Sequence, residues 1–573
     1  MNYDFDVCVI GSGAGGGPIA YTLANAGYSV LVLEKGPWHT EKEFTKDELA
    51  LSLRSTFTPD LRKQPHVVEL QDDDENWNKQ NTYKSGWDFW NGNVVGGSSN
   101  FMSGFFHRMK PNDFKLLSTY GPIEGANVAD WPIEYSEMEP YYDKVEKVVG
   151  VSGRVVKHPH QEPRSSLDFP YPPTQEHPVS GLIDKACGAL GIHAIPTPRA
   201  VLSRPALDRP SCSYNGYCGN YGCATGAKGS SRVALLNQAV ATGNCEIRPE
   251  SMVVKIESDK NGQISHVRYL NKENKLINVN ARIYVVACQA IETSRLLLMS
   301  PGEKHPNGLA NNSGQVGKNL LFSAGGAGSG RILYSKFDEI QAKNLHEFGT
   351  FVNRAVQDWY QIDDKEFFDT PQKGGTIDFV HLHPNPVVRS LRQIRGSEGI
   401  TWGAPLKRKL ESHFTEGKFL KIEAFCDFMP VPNCHVSLDP DVKDQWGLPV
   451  AKIKIDMHVR NLQVGWYLAA KGADVLRKMG AENVFSFTSG APSINLLAGG
   501  CRFGTDPETS VLNPDCQAHD VENLYITDGS FMPTGGSVPY TWTIYANSFR
   551  VADKILERLG RSKSESIIRN VFG

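Results

Sequence analysis

The chain has 573 residues, with 60 Lys and Arg against 63 Asp and Glu and a formal net charge of −3. This near balance leaves no general basic field for nucleic acid, and no apolar run is long enough to span a membrane. Eleven scattered cysteines do not make a disulfide scaffold, and the first strand starts too close to Met1 to leave room for a signal peptide, so a cytoplasmic protein is expected.

The predicted elements begin with a short buried strand, Val7-Cys8-Val9-Ile10. Gly11-Ser12-Gly13-Ala14-Gly15-Gly16 follows at once, then a helix from about Pro18 to Ala26. Gly27 is placed to stop that helix, and a second strand, Val30-Leu31-Val32-Leu33, ends in Glu34. Strand, G-x-G-x-x-G, helix, strand and acid in this order form the dinucleotide fingerprint. Gly11 permits the tight turn, Gly13 lets the backbone approach a pyrophosphate, and Gly16 lets the helix pack close to the strand. Ser12 and Ala14 complete the turn, whose exposed amides face phosphate charge. Glu34 can accept hydrogen bonds from a ribose diol, which favours an adenosine ribose without a 2′-phosphate.

Residues 40–86 are polar and mixed, and the run Asp72-Asp73-Asp74-Glu75 reads as a solvated loop; no metal site is expected. Next comes Gly92-Asn93-Val94-Val95-Gly96-Gly97-Ser98-Ser99-Asn100. Such dense small residues let backbone and hydroxyls approach a flat or phosphorylated ligand. The aromatic flanks, Trp87, Phe89 and Trp90 before and Phe101, Phe105 and Phe106 after, are unlike a flexible linker.

These two segments resemble the glucose–methanol–choline (GMC) flavin oxidoreductases. The first is similar to that family's FAD-binding turn. Val95-Gly96-Gly97-Ser98-Ser99, continued by Arg108 and Pro111-Asn112-Asp113-Phe114, is similar to its second flavin-contact motif. The version here looks most like the bacterial branch that contains gluconate, glucose and fructose dehydrogenase flavoproteins. The resemblance implies an α/β fold. A Rossmann-like FAD domain would be assembled from residues 1–45, 87–115, 232–330 and 495–573, and an antiparallel substrate sheet would belong to a cap domain of 46–86, 116–231 and 331–494. It implies FAD contacts from Gly11, Ser12, Gly13, Ala14, Gly16, Glu34, Gly96, Gly97, Ser98 and Asn100, from Val254 on a strand beside the adenine, and from Asp528 and Gly529 in a late turn. A simple NAD enzyme shares the N-terminal fingerprint, but the dispersal of these later segments fits a cofactor that crosses the molecule.

Proline-rich residues 151–210 read as an irregular excursion, followed by the close cysteines Cys212, Cys218 and Cys223. Alone, they point to a metal or cluster site, for which four ligands are usual and no fourth Cys or His lies nearby. The resemblance implies instead a structural loop, such as a disulfide, or a place on an electron exit route. Residues 265–280 read as a hairpin, and Arg282 to Ser294 as a buried strand turning into a helix. Residues 330–490 read as alternating strands and loops. Within them Val380-His381-Leu382-His383 alternates, which would turn both imidazoles to one strand face. A C-terminal helix is expected from Thr541 to Leu559, then an apolar stripe of Ile567, Ile568, Val571 and Phe572 that docks on the chain or on a partner.

Oxidation of an alcohol by a flavin needs a hydride acceptor and a base for the hydroxyl proton. In the family that base is a His beside an Asn or a second His. Aligned through Gly499-Gly500-Cys501-Arg502-Phe503-Gly504, the His position falls on Leu496; aligned through Thr541, Thr543 and Arg550, the partner position falls on Pro539. Neither side chain moves a proton. Phe101 stands where some members carry a His bonded to the flavin, so FAD is expected without a covalent bond. The reading is therefore an FAD-dependent oxidoreductase for a hydroxyl of a sugar, glycoside, sugar acid or polyol, its base displaced to His381, His383, His107 or Tyr540. The alternatives are a flavin lyase or isomerase, or a non-catalytic flavoprotein subunit. Expected partners are a small carbohydrate-like substrate and a small accessory or electron-transfer subunit.

Overall fold

The computed structural model describes residues 3–44, 48, 57–72, 74–347, 349–396, 399–489 and 493–572, with backbone alone at 347, 396 and 561–572. In chain order the elements that build the site begin with β1 (Phe5–Ile10), α1 (Gly16–Asn25), β2 (Val30–Leu33), β3 (Cys245–Arg248), β4 (Ala281–Val286) and α2 (Ala290–Leu298). They continue through β5 (Ala327–Leu333), β6 (Phe351–Val356), β7 (Gly375–His381), α3 (Pro386–Ile394), α4 (Gly403–Thr415) and β8 (Gly417–Cys426). The last are α5 (Val459–Lys478), β9 (Glu482–Phe487), β10 (Ser493–Gly500), β11 (Leu524–Ile526) and α6 (Thr541–Phe572).

Strands β11, β4, β1, β2 and β3 lie in that order in a wholly parallel sheet. A parallel strand covered on both faces reads as an unbroken apolar run, which is what Val7-Cys8-Val9-Ile10 and Val30-Leu31-Val32-Leu33 are. Helices α1 and α6 pack together beside this sheet. The second sheet is antiparallel, in the order β6, β7, β8, β5, β9. Along β8 buried residues alternate with half-buried ones, so Lys421, Glu423 and Phe425 share one face. The predicted hairpin is present as Ile264–Leu270 paired with Leu276–Val279.

Reading residues 330–490 as strands and loops misses four α-helices among the described residues, Glu339–Glu347, α3, α4 and α5, of which α5 is the longest. Its inward positions include Asn461, Val464, Gly465, Leu468, Gly472 and Leu476, a helical spacing diluted by small residues. Those small residues are required by close packing: a Cβ on Gly472 would stand 2.8 Å from Ile422, and one on Gly465 would stand 2.5 Å from the Gly325 carbonyl. The acidic run forms a tight turn in which Asp72 accepts from the amides of Asp74 and Asn76; Asp73 lies outside the described residues. The backbone of α6 continues to Phe572, and the side chains of the predicted stripe, Ile567 to Phe572, lie outside the described residues.

Candidate cofactor and active site

One cavity of about 480 Å³ runs between the two sheets. Gly11, Ser12, Gly13, Ala14, Glu34, Gly97, Ser98, Asp528 and Gly529 line it, as does Tyr540, while Glu423 and Phe425 are the antiparallel sheet's contribution. Its size suits a large small-molecule ligand.

The cradle is built from two glycine turns held by serines. Gly11 has φ +98°, and a Cβ there would meet the Ala287 carbonyl at 2.3 Å. Gly13 is the opposite case: no atom lies within 4 Å of where its Cβ would be. Gly16 does not line the cavity; its missing Cβ lets α1 approach the Gly11 carbonyl. The Ser12 hydroxyl donates to Glu34 at 2.5 Å and accepts from the Gly96 amide at 2.9 Å, tying the first turn to the second. Ser231 donates its hydroxyl to the Ser12 carbonyl and its amide to the Ser99 hydroxyl, the latter at 2.9 Å. Gly96 and Asn100 thus act behind the wall, Asn100 by donating to the carbonyls of Val95 and Gly97. The buried Asn93 carbonyl oxygen, on a wall residue, has no hydrogen-bond partner within the protein. Val254 corrects by one position: Ser251, Met252 and Val253 line the cavity, and Val254 falls at the irregularity between Val253 and Lys255 in the pairing of Met252–Ser258.

Four carboxylates stand on the wall: Glu34, Glu292, Asp528 and Glu423. Glu34 also accepts from the Gly36 amide, and burial raises its carboxyl above the usual range despite these donors. Asp528 accepts from Ser530, from the Thr293 hydroxyl and from the Gln289 amide, so it orients the start of α2 and the turn after β11; burial pushes it up as well. Burial opposes the charge on Glu292, but Lys35, Arg295 and His66 outweigh it and hold the carboxyl well below its ordinary range. Glu423 differs. Among the described residues its one ion pair is with Lys421, at 3.4 Å on the same strand face.

Among the described residues no histidine lines this cavity. His381 is buried at the end of β7, with Nδ1 2.8 Å from the Phe419 carbonyl and its ring 4.7 Å from that of His177. Burial, with Lys418 and His177 nearby, holds it well below the usual imidazole range. The strand ends at His381, so His383 does not share its face; it packs on Tyr221, and burial together with Lys421 lowers it to about 4. His107 is buried against Asp378 at 3.1 Å, behind the wall formed by Phe105 and Phe106. Tyr540 does line the cavity, but its hydroxyl donates to the Phe322 carbonyl at 2.7 Å and burial raises it well above its ordinary value. None of the four is placed to accept a substrate proton.

Leu496 and Pro539 both stand on the cavity wall. Leu496 has φ +52°, a left-handed conformation that costs an L-residue about 1–2 kcal/mol. It lies where the pairing of β10 with Lys318–Ser323 loses register, so the strand irregularity aims an aliphatic side chain at the ligand space. Phe101 is buried in a cluster with Phe44, Phe57 and Val94, away from the wall.

The loop that carries Pro539 and Tyr540 is anchored by Asp427, which accepts from the Gly535 amide at 2.9 Å. Burial pushes the Asp427 carboxyl up to about 7; Lys373 opposes this, and Asp113, already paired with Lys373 at 2.5 Å, adds to it. The folded value lies above the unfolded one, so the protonated form favours folding. The contribution is complete below about pH 4 and is lost as pH rises through about 7. Asp427→Asn keeps an acceptor for Gly535 and cannot ionise. It is expected to raise the melting temperature by a few degrees at pH 8 and leave it unchanged at pH 4, measured by differential scanning fluorimetry at both pH values.

Cys212, Cys218 and Cys223 are free, so the structure forms no disulfide among them. Burial pushes Cys212 up to about 11. Burial also opposes the Cys223 thiolate, but Lys228 and Thr225 outweigh it and lower that thiol. Asn220 of the same loop lines the cavity. Elsewhere, His158, His193 and Asp358 have ligand atoms within 4.8 Å of one another. The His158 Nδ1 accepts from the His160 amide, so in the neutral ring Nε2 carries the proton that faces Asp358; this is a hydrogen-bonded group.

Profiles of the GMC oxidoreductase family match residues 82–323 and 430–548. The chain is 32% identical to the 2-methyl-1,2-propanediol dehydrogenase of Mycolicibacterium austroafricanum over 96% of this chain and 95% of that protein. It is 28% identical to the fructose dehydrogenase large subunit of Gluconobacter japonicus, covering 97% and 98%. Its fold superposes on the crystal structure of formate oxidase with a TM-score of 0.65 at 14% identity, over 97% and 98% of the two chains.

Proposed function

The chain belongs to the GMC oxidoreductase family, an FAD-dependent family acting on CH–OH donors, and from that premise we propose that it oxidises a hydroxyl of a small polyol or sugar-like substrate, with Glu423 taking the proton that the family's imidazole usually takes. The cavity residues fit FAD. Gly13 leaves its wall open to a pyrophosphate, Glu34 stands at the end of β2 where a ribose diol is recognised, and the unpartnered Asn93 oxygen offers an acceptor. When bound, FAD supplies the hydride acceptor, and Phe101, buried off the wall, supports attachment without a covalent bond.

The remaining work falls to side chains of the chain. One observation carries the assignment: the wall bears no imidazole among the described residues, and three of its four carboxylates are already engaged by several protein donors. Glu423 stands on the substrate sheet with only a long ion pair to Lys421, so it accepts the hydroxyl proton as the carbon–hydrogen bond breaks. Lys421 steadies the carboxylate, and Phe425 stands beside it on the cavity wall. The names of the two sequence relatives, a small diol and a sugar dehydrogenase, support the substrate class, and the second name, a large subunit, supports an accessory electron-transfer subunit.

Anaerobic mixing with diols, sugars and sugar acids should bleach the flavin absorbance with at least one of them; turnover with the flavin oxidised throughout would refute the reading. Leu496→His, which restores the usual imidazole, is expected to change the bleaching rate less than about tenfold, because the left-handed backbone at 496 and the Glu423 base are both in place. A gain of several orders of magnitude from that change would contradict the displaced base.

A further inference from the structure

Helices α3 and α4 form a hairpin whose C-terminal end packs on the antiparallel sheet through His413 against Phe419, and no described residue of either helix is buried. The first helix is turned apolar side outward. Arg389 packs inward, with its guanidinium 2.9 Å from the His413 Nε2 and 5.2 Å above the Phe414 ring. On the opposite side Val387 and Leu391, one turn apart, are 40% and 58% exposed. With Leu406 and Leu410 of α4 they line an open apolar groove. The connection between the helices adds Ile400, 69% exposed, and Trp402, 78% exposed. A helix normally hides such a stripe against its own core.

The charge around this groove is one-sided. Residues 386–413 hold Arg389, Arg392, Arg395, Lys407, Arg408 and Lys409 against only Glu398 and Glu411, in a chain whose net charge is −3. We propose that the hairpin lies in the headgroup layer of a bilayer containing anionic lipid and holds the enzyme on a membrane surface. Exposed leucine and tryptophan enter the boundary between headgroups and acyl chains, while the flanking cations meet lipid phosphates. A protein interface core is depleted of charge, whereas an anionic bilayer meets the exposed cations Arg392, Arg395, Lys407 and Arg408 without a matched partner surface. Attachment is peripheral, since no described helix is long and apolar enough to cross a membrane. This inference is independent of the proposed base.

The test is flotation of the full-length holoenzyme with vesicles of phosphatidylcholine alone and of phosphatidylcholine mixed with phosphatidylglycerol. About tenfold more protein should float with the anionic vesicles, and raised salt should remove the difference. Leu391→Ser/Trp402→Ser and Arg392→Ser/Arg408→Ser should each abolish most of that binding while retaining flavin content and turnover, since none of these residues lines the cavity. Equal flotation on both vesicle types, or undiminished binding by both double variants, would overturn the proposal. So would a dimer, measured by light scattering, that Leu391→Ser/Trp402→Ser dissolves, because the face would then belong to a second copy.

Discussion

Glu423→Gln is expected to slow substrate-driven bleaching of the flavin by about 10²–10⁴-fold, the range a positioned acid–base group contributes. Gln has nearly the same shape and can still meet Lys421, so the strand and cavity should persist; flavin content and melting temperature should stay at the parent values. Glu423→Asp, which keeps the carboxylate but withdraws it, should recover part of the rate. Glu423 pairs across the sheet with Asp378, whose carboxylate is taken by His107 and the Thr197 hydroxyl, so the neighbouring acid cannot substitute for it. Stopped-flow absorbance under anaerobic conditions measures the effect. A Gln variant that bleaches at the parent rate would exclude Glu423 and return the search to the rest of the wall.

What the sequence made legible was local. Gly11, Gly13, Glu34 and their strands are consecutive, and each residue has a job that follows from backbone geometry alone. Asp528 stands on the cavity wall, and its carboxylate is spent on Ser530, Thr293 and Gln289 and shapes the turn through them. Val254 missed by one because an apolar pair such as Val253-Val254 does not reveal the phase of a strand. His381 and His383 misled for a related reason: their alternation is real in sequence, but β7 ends between them and burial strips the first of solvent. Glu423 was missed altogether. The alternation of Lys421, Glu423 and Phe425 can be read directly, yet which face of β8 meets the cofactor space depends on how five separated strands assemble. The inert positions Leu496 and Pro539 were legible only by alignment to family motifs, and both stand on the cavity wall.

The two fingerprint glycines should fail in different ways. At Gly11 an added Cβ would lie 2.3 Å from the Ala287 carbonyl, in a backbone conformation with φ +98°. Backbone on both sides cannot yield cheaply, because β1 and β4 are paired next to the clash. Gly11→Ala is therefore expected to cost about 2–5 kcal/mol and lower the melting temperature of the protein whether or not flavin is present. At Gly13 the Cβ has no protein atom within 4 Å and no left-handed backbone to oppose it, so the apoprotein should fold with its melting temperature unchanged. The added volume projects from a residue of the cavity wall into the space a pyrophosphate needs. Gly13→Val should weaken FAD by about 10²-fold or more. Fluorescence titration of the apoprotein with FAD, beside thermal melts of both apo variants, separates the two effects. Normal flavin affinity in a folded Gly13→Val protein would mean that the pyrophosphate does not pass over this turn, and the fingerprint would have to be read as packing between strand and helix alone.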